Sequence, residues 1–289
     1  MLSYAQVALL IVLLATATLL FLNNAHRAER RTVKGRSVAL TGAPDAGKTS
    51  IFSVLALQDR PATHTSLTSS SSTIRLPSSS SSLTLIDLPG HPRMRSETEK
   101  TLRKDDVRGV VFVVDVAALV RNAAMVAEDL VSVLTALAAK QTATPPRLLI
   151  IANKTDLLVP STSSNANGEA SAIPSKTRQL ALDRLTTLLQ RELTRIKSSR
   201  LATASSRIEG IDKVASGSPT SFLGFFKRFF SGAAGAAEEK EGEADGEAVW
   251  GGAGPFEFKD VEGVDVEFAV GSAVKEGGLK EVWDWLSDL

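Results

Sequence analysis

Eight residues, Gly42-Ala43-Pro44-Asp45-Ala46-Gly47-Lys48-Thr49, have the spacing G-x-x-x-x-G-K-[ST]. Such a loop can wrap closely around a chain of phosphates, because glycine and small residues let successive backbone N–H groups turn inward. Lys48 would place a point charge on the outer phosphates, and the Thr49 hydroxyl would ligate Mg2+. Gly42, Asp45, Ala46, Gly47 and Ser50 complete the expected phosphate cradle. Pro44 has no N–H, but it falls early in the loop, before the amides that would hold the β-phosphate.

A phosphate loop does not choose a base. Asn153-Lys154-Thr155-Asp156 does, as an N-K-x-D sequence directly after the apolar run LLIIA. Asp156 can accept hydrogen bonds from N1–H and the exocyclic amine of guanine. Adenine offers no donors there, and leaving a buried carboxylate unpaired costs about 1–3 kcal/mol or more. Asn153 would bridge back to the phosphate loop, and the stem of Lys154 would cover the base. Alone, N-K-x-D is a weak signal; in order after a phosphate loop and at a strand end it is a strong one.

Between the two stands Asp87-Leu88-Pro89-Gly90-His91, again just after a strand-like run, LTLI. Asp87 would hold Mg2+ through water, and the Gly90 amide would sense a γ-phosphate and order the segment that follows. Upstream, Thr65-Ser66-Leu67-Thr68 occupies the place of a second switch; Thr68 is the candidate for the second Mg2+-ligating hydroxyl, with Thr65 as the other choice of register. Near the C-terminus, Gly271-Ser272-Ala273 follows the last strand, and the backbone amides of Ser272 and Ala273 would reach the base.

These residues need a scaffold that brings strand ends together. Short apolar runs at 37–41, 73–76, 83–86, 109–114, 148–152 and 264–270 alternate with helical patterns at 48–58, 123–140, 176–197 and 279–289. That alternation predicts an α/β fold, a P-loop NTPase domain of Ras-like type with a mostly parallel central sheet flanked by helices. VVFVV and LLIIA are apolar on both faces, as central parallel strands must be. The serine tracts 69–72 and 78–82 read as loop and turn, and 161–171 as a polar loop.

The ends and the middle differ from this pattern. Residues 5–22, AQVALLIVLLATATLLFL, carry no charge. As a helix they span about 27 Å, close to a hydrocarbon core. Positive charge follows the run (His26, Arg27, Arg30, Arg31, Lys34, Arg36 against Glu29), so the expectation is one N-terminal transmembrane helix at 1–24 that touches lipid over 4–22. A basic linker at 25–36 and a cytosolic domain at 37–289 follow. Residues 198–255, rich in Ser, Gly, Ala and Glu, predict an insert that cannot bury enough apolar surface to fold. Within it, five phenylalanines (222, 225, 226, 229, 230) surround Lys227 and Arg228, a patch suited either to a membrane or partner, or to packing on the domain.

Bulk composition excludes more than it selects. With 33 basic and 32 acidic residues the net charge is +1, so no field points to nucleic acid. No cysteine is present, which removes disulfides and thiolate metal sites, and three histidines make a structural zinc site a poor expectation.

Taken in order, the chain resembles the beta subunits of the signal recognition particle receptor, the membrane-anchored small GTPases of the endoplasmic reticulum, related to the Arf and Sar proteins. The resemblance rests on the apolar leader, GAPDAGKTS, TSLT, SLTLIDLPGH, RGVVFVVD, NKTD and the final FEF, VEF and Ser272-Ala273. The serine tracts and the 198–255 insert depart from it. What it implies is GTP and GDP with Mg2+ as ligands, a single-pass anchor in the endoplasmic reticulum membrane, and a heterodimer with the receptor alpha subunit through the switch face. The ribosome or translocon would be further partners, with no direct DNA binding expected. His91 stands where many GTPases keep a water-orienting glutamine; the alternative is a turn residue in a protein whose hydrolysis is slow. Three other readings compete: an ATP-using P-loop enzyme, another membrane-bound Arf-like trafficking GTPase, and a scaffold with a catalytically weak nucleotide fold.

Overall fold

The computed structural model describes residues 37–76, 82–140, 144–158, 173–212, 254–261 and 263–289. Six strands form one sheet: β1 (Ser37–Thr41), β2 (Ser70–Arg75), β3 (Ser82–Asp87), β4 (Val107–Asp115), β5 (Arg147–Asn153) and β6 (Asp265–Val270). Their order is β2-β3-β1-β4-β5-β6, with every pair parallel except β2 against β3. The expected α/β architecture is therefore present.

Among the described residues, five α-helices accompany the sheet: α1 (Lys48–Leu57), α2 (Arg95–Leu102), α3 (Leu119–Ala138), α4 (Ser175–Asp212) and α5 (Lys280–Ser287). Along α3, Ala123, Val126, Ala127, Leu130, Leu134 and Leu137 are buried, an i, i+3, i+4 stripe facing β4 and α4. Along α4, Ala181, Leu185, Leu189 and Leu193 recur every four residues and are buried against the same core. Ile51 and Leu55 of α1 and Val282, Trp285 and Leu286 of α5 fill the other face of the sheet. Val110 through Val114 are completely buried between the two layers, which is why this run carries no polar alternation.

Two elements depart from the expectations. The serine tract from Ser70 is strand, not loop: β2 lies at the sheet edge, where only Ile74 is buried, so an apolar pattern is not required. Helix α2 reads RSETEKTL and buries only Thr98 and Leu102, too few residues to set a periodic signal. Helix α4 also continues beyond residue 197 to Asp212, into the stretch expected to begin the insert. The rest of that insert up to Gly254, the phenylalanine patch, the anchor at 1–24 and the linker at 25–36 lie outside the described residues. Among the described residues, no helix is long and apolar enough to cross a membrane.

Where the chain returns at Gly254, it rejoins the core at once. Phe256 and Phe258 are buried, Phe258 meets Phe268 of β6 edge to face with centroids 5.0 Å apart, and the Phe256 amide donates to the Thr194 hydroxyl on α4 at 3.1 Å.

Candidate functional site

The GAPDAGKT, DLPGH and NKTD motifs and the 271–273 turn lie at the carboxyl ends of β1, β3, β5 and β6, the end where parallel α/β sheets place their ligands. The loop from Gly42 to Gly47 turns back on itself between β1 and α1. Asp45 and Gly47 have positive φ (58° and 93°), a left-handed conformation rare for the former and ordinary for glycine. A Cβ on Gly47 would collide with the Asn153 side-chain amide. Helix α1 starts with no side chain capping its first turn, which leaves its leading N–H groups as donors toward an anion.

Lys48 is buried and donates through Nζ to the carbonyls of Gly42 (3.0 Å) and Ala43 (2.8 Å). Burial pushes its ammonium down from its ordinary range, while the Asp87 carboxylate pulls it back up. Gly90 stands against it so closely that a Cβ would collide with Nζ and with the Gly42 carbonyl. The two loops therefore meet at the Lys48 charge, as the order of motifs implied.

Thr49 Oγ1 donates to Asp87 Oδ2 at 2.7 Å and lies 2.9 Å from the Ser66 hydroxyl, which is itself 3.5 Å from Asp87 Oδ2. The other carboxylate oxygen, Asp87 Oδ1, is buried and has no hydrogen-bond partner. Burial raises the Asp87 pKa above its ordinary value, against the pull of the Thr49 hydroxyl and the Lys48 charge. Two hydroxyls and one carboxylate, one of whose oxygens is orphaned, make an all-oxygen set that fits a hard cation such as Mg2+. Of the segment's hydroxyls, Ser66 joins Thr49 and Asp87, while Thr68 is exposed and Thr65 donates to Asp45 Oδ1 at 3.2 Å. Ser50 pairs with Thr63 at 3.0 Å. In a run of interchangeable hydroxyl residues, only the fold distinguishes one register from the next.

The side expected to hold a base is built from β5 and the loop after β6. Asn153 Nδ2 donates to the Ala46 carbonyl at 2.8 Å, the bridge to the phosphate loop expected of it. Lys154, at φ 61°, pairs with Asp115 Oδ2 at 2.8 Å. The other Asp115 oxygen accepts the amides of Ala117 and Ala118 just ahead of α3, so the lysine stem is anchored to the helix start. Asp156 Oδ1 accepts the Ser272 hydroxyl at 2.6 Å. Ser272, expected to offer its amide to a base, makes two other contacts. Its amide is spent on the Gly278 carbonyl (3.0 Å), and its side chain orients the carboxylate instead. Ala273 beside it is buried.

His91 is exposed, and its Nδ1 accepts the Arg93 amide at 3.2 Å, capping the turn Pro92–Met94. This gives it a local structural task. Sequence reasoning missed two further residues here. Arg95, the first residue of α2, donates through Nε to Asp129 of α3 at 2.7 Å and ties the segment after Gly90 to the body. Burial raises the Asp129 pKa, and the Arg95 guanidinium opposes the rise. Arg60 lies beside the loop after β6. Neither belongs to a local motif.

Comparison with known proteins follows the same lines. The family model of the signal recognition particle receptor beta subunit matches residues 33–171. The chain is similar to the signal recognition particle receptor subunit beta of mouse, 42% identical over 124 residues that make up 42% of this chain and 45% of the relative. The human protein is 41% identical over the same length, covering 44% of the relative. The chain thus spans less than half the length of these curated relatives. Among solved structures it is similar to the mammalian signal recognition particle receptor, at 28% identity and TM-score 0.56, covering 88% of this chain and 99% of the other. The SRb-GTP/SRX complex from Chaetomium thermophilum shares the fold, at 21% identity and TM-score 0.54, with 87% and 99% covered.

Proposed function

We infer that this chain, which over residues 33–171 matches the family model of the signal recognition particle receptor beta subunit, is a guanine-nucleotide switch that anchors a receptor alpha subunit at the endoplasmic reticulum membrane. One arrangement carries the reading: a purine-selecting carboxylate and a phosphate-facing lysine share one end of one sheet, with Asn153 bridging the two loops. Gly42, Asp45, Ala46, Gly47, Lys48, Thr49 and Ser50 would bind the phosphates. Thr49 and Ser66 would ligate Mg2+ directly, and Asp87 would hold it through water. Asn153, Lys154, Asp156 and the 271–273 turn would bind guanine. Mg2+, when bound, neutralises phosphate charge. The chain's own residues orient the nucleotide, and Gly90, packed on Lys48, transmits the presence of a third phosphate to the segment that Arg95 tethers.

The switch face so formed is where an alpha subunit would dock, and residues 1–24 would hold the complex in the membrane. Purified full-length protein in detergent should take up GDP saturably with Mg2+, and equal ATP should not displace it. Displacement by ATP would refute the guanine assignment. Capture from solubilised membranes should recover the alpha subunit with GTP-loaded and not GDP-loaded protein. Equal recovery with Lys48→Ala would favour a scaffold. Hydrolysis is expected to be slow, since the His91 Nδ1 is engaged in a cap. Single-turnover assay of His91→Ala should give a rate within about twofold of wild type, well short of the 10²–10⁴-fold a general acid–base group supplies.

A further inference from the structure

Arg60 lies between α1 and the TSLT segment, outside every motif above. Its Nε donates to the Ala273 carbonyl at 3.2 Å and its Nη2 to the Lys275 carbonyl at 3.3 Å, across 213 and 215 positions of sequence. The Lys275 carbonyl also accepts the Gly278 amide (3.1 Å), and the Gly278 carbonyl accepts the Ser272 amide (3.0 Å). The Ser272 hydroxyl in turn holds Asp156 (2.6 Å). Hydrogen bonds thus run without a break from Arg60 to the carboxylate that selects the purine. The stretch beyond Arg60 is stapled too: Thr63 to Ser50, Thr65 to Asp45, and Ser66 to Thr49. Residues 60–66 therefore form a strap from the loop after β6 across the phosphate loop to the metal-side hydroxyls.

We propose that Arg60 is a positioning residue that fastens the purine end of this strap and sets how fast guanine nucleotide leaves. The proposal rests on the guanine-nucleotide reading. A guanidinium suits the task because its planar fork reaches two carbonyls at once, which a lysine ammonium on a flexible stem does less well. Arg60 is exposed, so its removal leaves the core intact. Its action lies at the purine end, which makes it independent of Mg2+ and of the third phosphate.

Full-length protein loaded with fluorescent GDP or GTP and chased with unlabelled nucleotide tests this, in Mg2+ and in EDTA. Losing two charge-assisted bonds should speed dissociation about tenfold for Arg60→Ala under all four conditions, with Arg60→Lys falling between it and wild type. Ser66→Ala, at the metal end, should act in Mg2+ only. Melting of the nucleotide-free protein should be unchanged by Arg60→Ala. An Arg60→Ala rate equal to wild type, or an effect that vanishes in EDTA, would overturn the proposal. Wild-type protein that took up no guanine nucleotide would overturn the reading beneath it, an outcome visible before any variant is made.

Discussion

The purine end and the phosphate end of the site are built from the same kinds of side chain but held in opposite ways. At the proposed purine end, Asp156 has its serine, Asn153 its Ala46 carbonyl and Lys154 its Asp115, so each of these groups is oriented by a neighbour. At the phosphate end, Lys48 rests on carbonyls of its own loop, and Asp87 is buried with one oxygen unpartnered. Burial lowers one pKa and raises the other even though the two charges attract, so desolvation outweighs their mutual pull. On the proposed reading, the groups for the base are already partnered, whereas the phosphate end holds a buried carboxylate oxygen that still lacks a partner.

Removing Lys48 should break the phosphate end most severely. Lys48→Ala should weaken GDP binding on the order of a hundredfold in equilibrium titration with Mg2+, as expected for loss of several charge-assisted contacts. Retention of near-wild-type affinity would contradict the contrast. At the purine end, Asp156→Asn should preserve the fold, cost GDP about tenfold or more, and favour xanthosine diphosphate, read by competition between the two nucleotides. Preference for guanine that survived the change would mean that Asp156 does not choose the base. A smaller effect separates the hydroxyls. Ser66→Ala should weaken the Mg2+ dependence of binding about threefold, a modest hydrogen-bond-scale loss, and Thr68→Ala should leave it unaltered. The reverse result would restore the register first expected.

Asp87→Asn gives the subtlest readout. A carboxyl whose folded pKa is raised contributes stability that is present below its unfolded pKa and lost as pH rises through the folded value. Nucleotide-free wild type should therefore lose stability as pH climbs above the ordinary carboxylate range, and Asp87→Asn should flatten that slope and lessen the further stabilisation that Mg2+ adds. Calorimetric melting at several pH values distinguishes these outcomes.

Much of this site was legible because each motif is local and each sits at a strand end. GAPDAGKT, DLPGH and NKTD carry their geometry in a few consecutive residues, and VVFVV and LLIIA marked the central strands by being apolar throughout. What was not legible is non-local or chemically degenerate. Ser66 cannot be told from Thr65 or Thr68 among so many hydroxyls. The serine-rich β2 needs only backbone pairing with β3, so its side chains carried no signal. The Ser272 amide looked available until Gly278 claimed it. Arg95 and Arg60 find partners 34 and more than 200 positions away, a distance over which no local pattern informs.

The hydrogen bond between Phe256 and Thr194 closes a circuit. Thr194 on α4 and Phe256, just after the described chain resumes, thus meet, and the two ends of the sequence between them are held at one place on the domain. Closing such a loop costs only logarithmically more as it lengthens, about 0.6 kcal/mol per doubling. A change in the length of sequence between those two contacts is therefore expected to cost the sheet and its ligand end little.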